Sequence, residues 1–208
     1  MVFSNLFGPA TKSVCVGSEA NRFQWLFIVE FQPAGYYAFS EMPQKELADR
    51  VVSFETVNPV LCRLMTQQME TATDVYSLVT EIDRLLLKHL RTTFFRDEFT
   101  LANRMIISRG GLVSVRELSQ NVYYSERHLG RIFGEYIGVN IKLFARLVRV
   151  NTAIRMLRNS HYSITQAYLK TGYYDMPHFI HDFKSICGIT PQEYRENSSD
   201  FYSEIAKF

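Results

Sequence analysis

The spacing of apolar and polar positions changes near residue 58 of the chain. Before that point, Gln24-Trp-Leu-Phe-Ile-Val-Glu-Phe31 is dense in aromatic and β-branched residues, the composition of a strand. Pro33-Ala34-Gly35 signals a turn, and Tyr36-Tyr-Ala-Phe39 reads as the returning strand. Residues 12–57 are therefore expected to be mostly β, in a set so small that its edges need another chain or more of a sheet. From Asn58 onward the spacing becomes helical. Asn58-Pro59 offers a capping side chain followed by proline at the first helical position. A second helix starts near Thr73 or Asp74, with Val75, Leu78, Val79, Ile82, Leu85, Leu86 and Leu90 at intervals of three and four. That stripe suits a core face or a dimer seam. Arg91 to Glu98, which includes Phe94 and Phe95, reads as the linker, and the next helix runs to Ser108 and stops at Gly110-Gly111.

The second half contains an internal repeat. Ser114-Val-Arg-Glu-Leu-Ser-Gln-Asn-Val-Tyr-Tyr-Ser-Glu-Arg-His-Leu-Gly-Arg-Ile-Phe133 resembles the stretch from Ser163 to Phe183. Ser114 and Ser163 align at an offset of 49, whereas Tyr124/Tyr174, His128/His178, Phe133/Phe183 and Gly138/Gly188 align at 50. One residue has thus been added near Gly172. Ser114-x-x-Glu117 and Ser163-x-x-Gln166 are capping boxes that open a short helix in each copy. The helices end at Val122-Tyr123 and Thr171-Gly172, and Ser125 and Asp175 then cap a second helix. Leu129, Ile132 and Phe133, and in the other copy Phe179 and Phe183, mark its buried side. Short helix, tight turn and second helix form the pattern of a DNA-binding helix-turn-helix. The copies are joined by one long helix, about Asn140 to Asn159, with Ile141, Phe144, Ala145, Val148, Ala153, Ile154 and Leu157 as anchors. Lys142, Arg146 and Arg149 on it are expected to form a basic stripe on one face. Eighteen residues span about 27 Å, near the ~34 Å turn of B-DNA, so such a strut can present both second helices to successive major grooves.

Charge sharpens this division. The chain of 208 residues is 47% apolar with a net charge of +2, enough apolar content for a packed core. Up to Glu98 there are 9 Lys and Arg against 12 Asp and Glu; from Phe99 to Arg195 there are 13 against 6. An acidic half and a basic half are hidden in the near-neutral total, and local positive charge is what a phosphate backbone attracts. Cys15, Cys62 and Cys187 make no CxxC pair and fit a reducing cytoplasm. No run of 18 apolar residues occurs and the first ten residues do not form a secretory signal, so no membrane partner is expected. No GxSxG, HExxH or P-loop is present, and an enzyme is not expected. His178 and His181 lie three apart, but no further ligands complete a metal site nearby, so neither metal nor cofactor is expected.

Val113 to Arg195 resembles the DNA-binding domain of the AraC/XylS family of bacterial transcription regulators. The resemblance is carried by Gly172-Tyr-Tyr-Asp, His178-Phe-Ile-His-Asp-Phe-Lys184 and Gly188-Ile-Thr-Pro-Gln-Glu-Tyr-Arg195, and by Arg149-Val-x-x-Ala153-x-x-Met-Leu157 in the linker helix. It implies two helix-turn-helix units, about 113–135 and 163–187, in a domain spanning 93–208. It also implies base contacts by Arg127, Gly130 and Arg131 in the first reading helix. Arg127 or Arg131 can bond bidentately to guanine. The corresponding positions in the second are Met176, Pro177, Ile180 and His181. The family often has Gln where Met176 sits and Arg where His181 sits, so this head is expected to position more than it specifies. Ser125, Lys184 and Arg195 are candidate phosphate contacts.

The first half, 1–92, more weakly resembles the end of a cupin-like sensor domain, through Phe31-Gln-Pro-Ala-Gly-Tyr-Tyr-Ala-Phe39 and Leu47-x-Asp-Arg-Val-Val52. The expected class is thus α+β: a small β-rich remnant with helices at about 59–90, then an all-α double helix-turn-helix domain with a long linker helix. The expected function is sequence-specific binding of duplex promoter DNA by a cytoplasmic, nucleoid-associated regulator. RNA polymerase and a second copy, paired through the N-terminal helices, are further candidate partners. The competing reading is a protein-binding co-regulator or dimerisation partner that has lost specific DNA binding.

Overall fold

The computed structural model describes residues 4–12, 27–40, 42–91, 95–158 and 161–196. They fall into two compact units. One holds the residues up to Ala10, those from Phe31 to 91, and Gly134–Gly138; the other holds 11–30, Phe95–Phe133 and the residues from Val139 on.

In the first unit the expected β content is largely replaced. Its strands are β1 (Asn5–Phe7) and β2 (Val51–Ser53), paired antiparallel with Leu6 opposite Val52. Residues 27–31 of the expected strand at 24–31 are irregular, and 24–26 lie outside the described residues. The expected returning strand is a 3-10 turn, Gly35–Phe39. Ala34 takes a left-handed φ of 70° and accepts a hydrogen bond from the Tyr37 N–H, which coils the chain instead of extending it. Phe31 lies 5.4 Å from the Tyr36 ring and 5.3 Å from that of Phe39. Tyr36 and Ala38 are buried and their neighbours are not, so the burial alternates as in a strand while the backbone does not. Phe31, Tyr36 and Phe39 thus cluster on one another, and the described residues 27–39 join no strand pair.

The helices of this unit follow their sequence signals. After the single turn α1 (Phe54–Val57) comes α2 (Pro59–Thr71), where the Asn58 side chain accepts from Leu61 N and Pro59 takes the first position. Asp74 caps α3 (Val75–His89) by accepting from Ser77 N, and these hydrogen bonds hold its carboxyl below the usual range. α2 and α3 pack as a hairpin around buried Leu61, Leu78 and Ile82. The rest of the α3 stripe is only partly covered: Val75, Val79 and Leu90 are exposed.

The second unit is built around one helix. α4 (Asp97–Ser108) ends in Gly110 and Gly111, both at positive φ. It is followed by α5 (Val115–Asn121), α6 (Glu126–Tyr136), α7 (Ile141–Arg158), α8 (Ile164–Lys170), α9 (Met176–Cys187) and α10 (Pro191–Glu196). Tyr136, like the rest of Gly134–Gly138, is grouped with the first unit. The 18-residue α7 buries Ile141, Phe144, Leu147, Val150, Ala153, Ile154 and Leu157, which point in several directions around its axis. A helix apolar on so many sides is a core element, and α4, α8, α9 and α10 all pack on it. Gly111 makes the α4 contact possible: a Cβ there would stand 2.1 Å from the Ala145 carbonyl oxygen. Phe133 of α6 reaches the same core edge-on to Phe99 at 5.2 Å and beside Phe144 at 5.9 Å. Each fully buried phenylalanine contributes roughly 1.5–3 kcal/mol of hydrophobic stabilisation. Among the described residues no helix is long and apolar enough to cross a membrane.

Candidate nucleic-acid interface

α5–α6 and α8–α9 are two copies of one local design. Ser114 and Ser163 cap the first helices by accepting from the backbone N–H three residues on. The full capping box forms only at Ser163, where Gln166 Oε1 accepts from the Ser163 N–H at 2.8 Å. In the first copy the box expected from Glu117 is half made, because the Glu117 carboxylate pairs with Arg109 instead. Leu118 and Ala167 then fill equivalent, fully buried positions.

The turns place the added residue at Tyr174 rather than near Gly172. Tyr123 and Gly172 are the left-handed residues of the two turns, at φ 56° and 69°. Tyr124 N bonds to Ser119 O and Tyr173 N to Tyr168 O, and each tyrosine ring stands edge-on to the histidine of the helix that follows, His128 at 4.5 Å and His178 at 5.3 Å. Tyr124 thus matches Tyr173, not Tyr174, and Tyr174 is the extra residue. Identical neighbouring tyrosines concealed this in the sequence. Ser125 and Asp175 cap the second helices, accepting from His128 N at 3.2 Å and His178 N at 2.7 Å.

The second helices each have one buried face and one free face. In α6, Leu129, Ile132 and Phe133 are buried; Arg127 and Arg131 are exposed, and Gly130 between them is half-buried. No Cβ contact lies within 4 Å of Gly130, so this position is open space. In α9, Phe179, Asp182 and Phe183 are buried. Pro177, Ile180, His181 and Lys184 are exposed and Met176 is half-buried. Ser125 and Arg195 are exposed as well. The first free face therefore carries two guanidinium groups, and the second carries Pro177 and Ile180 together with two imidazoles, His178 and His181, and the Lys184 ammonium.

The expected basic stripe on α7 is not a free one. Arg146 Nε and Nη2 donate to the two carboxylate oxygens of Asp182 at 3.2 and 2.9 Å, and Nη2 also donates to Ser185 Oγ at 3.1 Å. The Arg149 guanidinium lies 5.0 Å over the Tyr173 ring and donates to the Gly111 carbonyl at 3.4 Å. Only Lys142 of the three is exposed. The reason is tertiary: the partners are up to 38 residues away and come together only when α9 and the α4–α5 turn settle on α7. Tyr173 completes the group by donating to Asp182 Oδ2 at 3.3 Å. Its burial, and then the Asp182 charge, push the phenol well above its usual range, which keeps the donated proton in place. Asp182 is thereby committed to Arg146 and Tyr173. Among the described residues no group of three His, Cys, Asp or Glu side chains could hold a metal.

Comparison with known proteins agrees with this geometry. Residues 118–197 match the helix-turn-helix domain family. The chain is 35% identical over 79 residues to the HTH-type transcriptional regulator ArgR of Pseudomonas aeruginosa, a match covering 38% of this chain and 24% of that protein. It is 35% identical over 83 residues to an HTH-type transcriptional regulator of Staphylococcus aureus, covering 40% of this chain and 11% of the relative. It is 29% identical over 85 residues to one of Haemophilus influenzae, covering 41% and 28%. The chain thus spans about a quarter or less of the length of the first two relatives. No solved structure gives a significant match. With both helix-turn-helix units, their caps and these matches in place, residues 118–197 form a helix-turn-helix domain.

Proposed function

We propose that the protein is a transcription regulator that binds duplex DNA in a sequence-specific way, laying α6 and α9 into successive major grooves, with 93–208 as its DNA-binding domain and 1–92 as a sensor or dimerisation region. The observation that carries this reading is the split character of α6: a fully buried apolar face opposite an exposed Arg127 and Arg131. Two guanidinium groups about one helical turn apart suit the O6 and N7 acceptors of guanine, each bidentate contact being worth about 1–3 kcal/mol of discrimination. The N-caps Ser125 and Asp175 set the helix starts that would face the groove, and Lys184 and Arg195 are the phosphate contacts. The exposed Val75 and Val79 of α3 and Leu90 just after it support pairing with a second copy.

Binding of this kind releases counterions, so the affinity falls steeply with salt. The test is a filter-binding titration across salt concentrations, comparing a duplex enriched from a random pool with its scrambled form. The enriched duplex is expected to bind more tightly by about 10³-fold or more. Equal affinity for the two duplexes would defeat the reading. A second reading, a protein-binding co-regulator, is favoured by the apolar surface of α9 at Met176, Pro177 and Ile180. It predicts that replacing Arg127 and Arg131 together leaves the regulatory effect intact.

A further inference from the structure

The two copies differ at one buried position. Ile132 and Asp182 fall at the same place in the repeat, one residue before Phe133 and Phe183, and both are buried. The first copy therefore packs an isoleucine where the second buries a carboxylate. That carboxylate is fully engaged. Arg146 of α7 grips it fork to fork, Tyr173 of the preceding turn donates to it, and His178 Nε2 and His181 Nδ1 each lie 3.9 Å from it. Isoleucine shows that the fold does not need a charge here.

An apolar contact is non-directional and tolerates rotation of the helix. A guanidinium–carboxylate fork has fixed geometry. Replacing a buried ion pair by apolar groups is often neutral or stabilising, so the Arg146–Asp182 pair, in which Asp182 is buried and Arg146 is partly exposed, does not by itself account for stability. We infer that Asp182 is the positioning residue of the second head: through Arg146 it fixes the rotation of α9 on α7, and so the direction in which Met176, Ile180 and His181 face. This rests on the DNA-reading proposal for its consequence, because a head with few hydrogen-bonding groups discriminates only if its shape is presented in one orientation. The α9 tether itself is independent of DNA.

The experiment compares three full-length chains: the natural protein, the double variant R146L/D182I, which installs the first copy's own residue, and R146K, which keeps the charge and loses the fork. Thermal unfolding is expected to leave the double variant cooperatively folded, with a melting temperature lowered by the buried Tyr173 hydroxyl, which loses its acceptor; Y173F added to the double variant is expected to reverse that loss. Amide hydrogen exchange is expected to speed up several-fold across Met176–Cys187 in both variants, with Glu126–Phe133 unchanged. On duplexes enriched from a random pool, selectivity at the half-site read by α9 should fall on the order of ten-fold, the size of one directional contact, with selectivity at the α6 half-site retained. Unchanged exchange in α9 of the double variant, or natural-like exchange in R146K, overturns the inference. If the natural chain shows no sequence preference at all, the DNA-reading proposal fails while the exchange comparison still decides the role of Asp182.

Discussion

The first head and the second head share a backbone plan and differ in where they put their charge. In α6 the arginines stand outward and the buried side is wholly apolar. In α9 the outward side mixes Pro177 and Ile180 with His178, His181 and Lys184 and carries no arginine, and Asp182 is turned inward to pair with Arg146 of α7. The same helix-turn-helix unit can therefore spend its polar groups on reading or on being held. Under the proposed function the first arrangement would supply hydrogen bonds to bases, and the second a fixed orientation of α9 on α7.

The largest effect is expected from removing the charge of the first head. R127A/R131A should lose about 2–6 kcal/mol of binding to an enriched duplex, the sum of two bidentate contacts, with an unchanged melting temperature because both side chains are exposed. Titration of the variant with that duplex checks this. A loss no larger than that of H181A would break the contrast between the heads. Next comes the turn. Gly172 sits at φ 69°, and a Cβ there would stand 2.5 Å from Leu112 Cδ2. G172A should cost about 1–3 kcal/mol of stability through left-handed strain and crowding. At the matching position Tyr123 already bears that strain, so Y123G should be neutral or stabilise by up to about 1 kcal/mol. Denaturant melts of the two variants should move in opposite directions or leave Y123G unmoved.

The caps give a smaller and symmetric effect. S125A and D175A should each cost about 1 kcal/mol, since each side chain satisfies one N–H at the start of its helix. A much larger loss in one of them would mean that its cap also touches something else. The smallest effect is expected at the second reading surface. M176A should weaken duplex binding by about 0.8 kcal/mol or less, the value of one buried methylene, in a binding assay on the enriched duplex.

What the sequence made legible follows from the range of the interaction involved. Asn58, Asp74, Ser163 and Asp175 cap the helices they precede because a capping bond closes within three residues. The repeat was legible for the same reason, down to the buried Leu129 and Phe179. Tyr36-Tyr-Ala-Phe39 misled because alternating burial is shared by a strand and by this 3-10 turn, and only the left-handed Ala34 separates them. Arg146 and Arg149 misled because helical spacing shows which face a side chain occupies, not what meets it there; Asp182 lies 36 residues away. Glu117 left its capping box for Arg109, a partner eight residues back that the local motif does not include. Arg127, Arg131 and His181 are exposed and Gly130 and Met176 half-buried, and the apolar positions between them identify the inward side from sequence alone.

Under the proposed function two unequal heads engage one duplex. Enrichment of bound duplexes from a random pool, read by sequencing, tests it most directly. The predicted result is an extended motif with one sharply specified half, read by α6, and one weakly specified half about a helical turn, roughly 34 Å, away. Enrichment of no sequence, or of two halves specified equally, would contradict it.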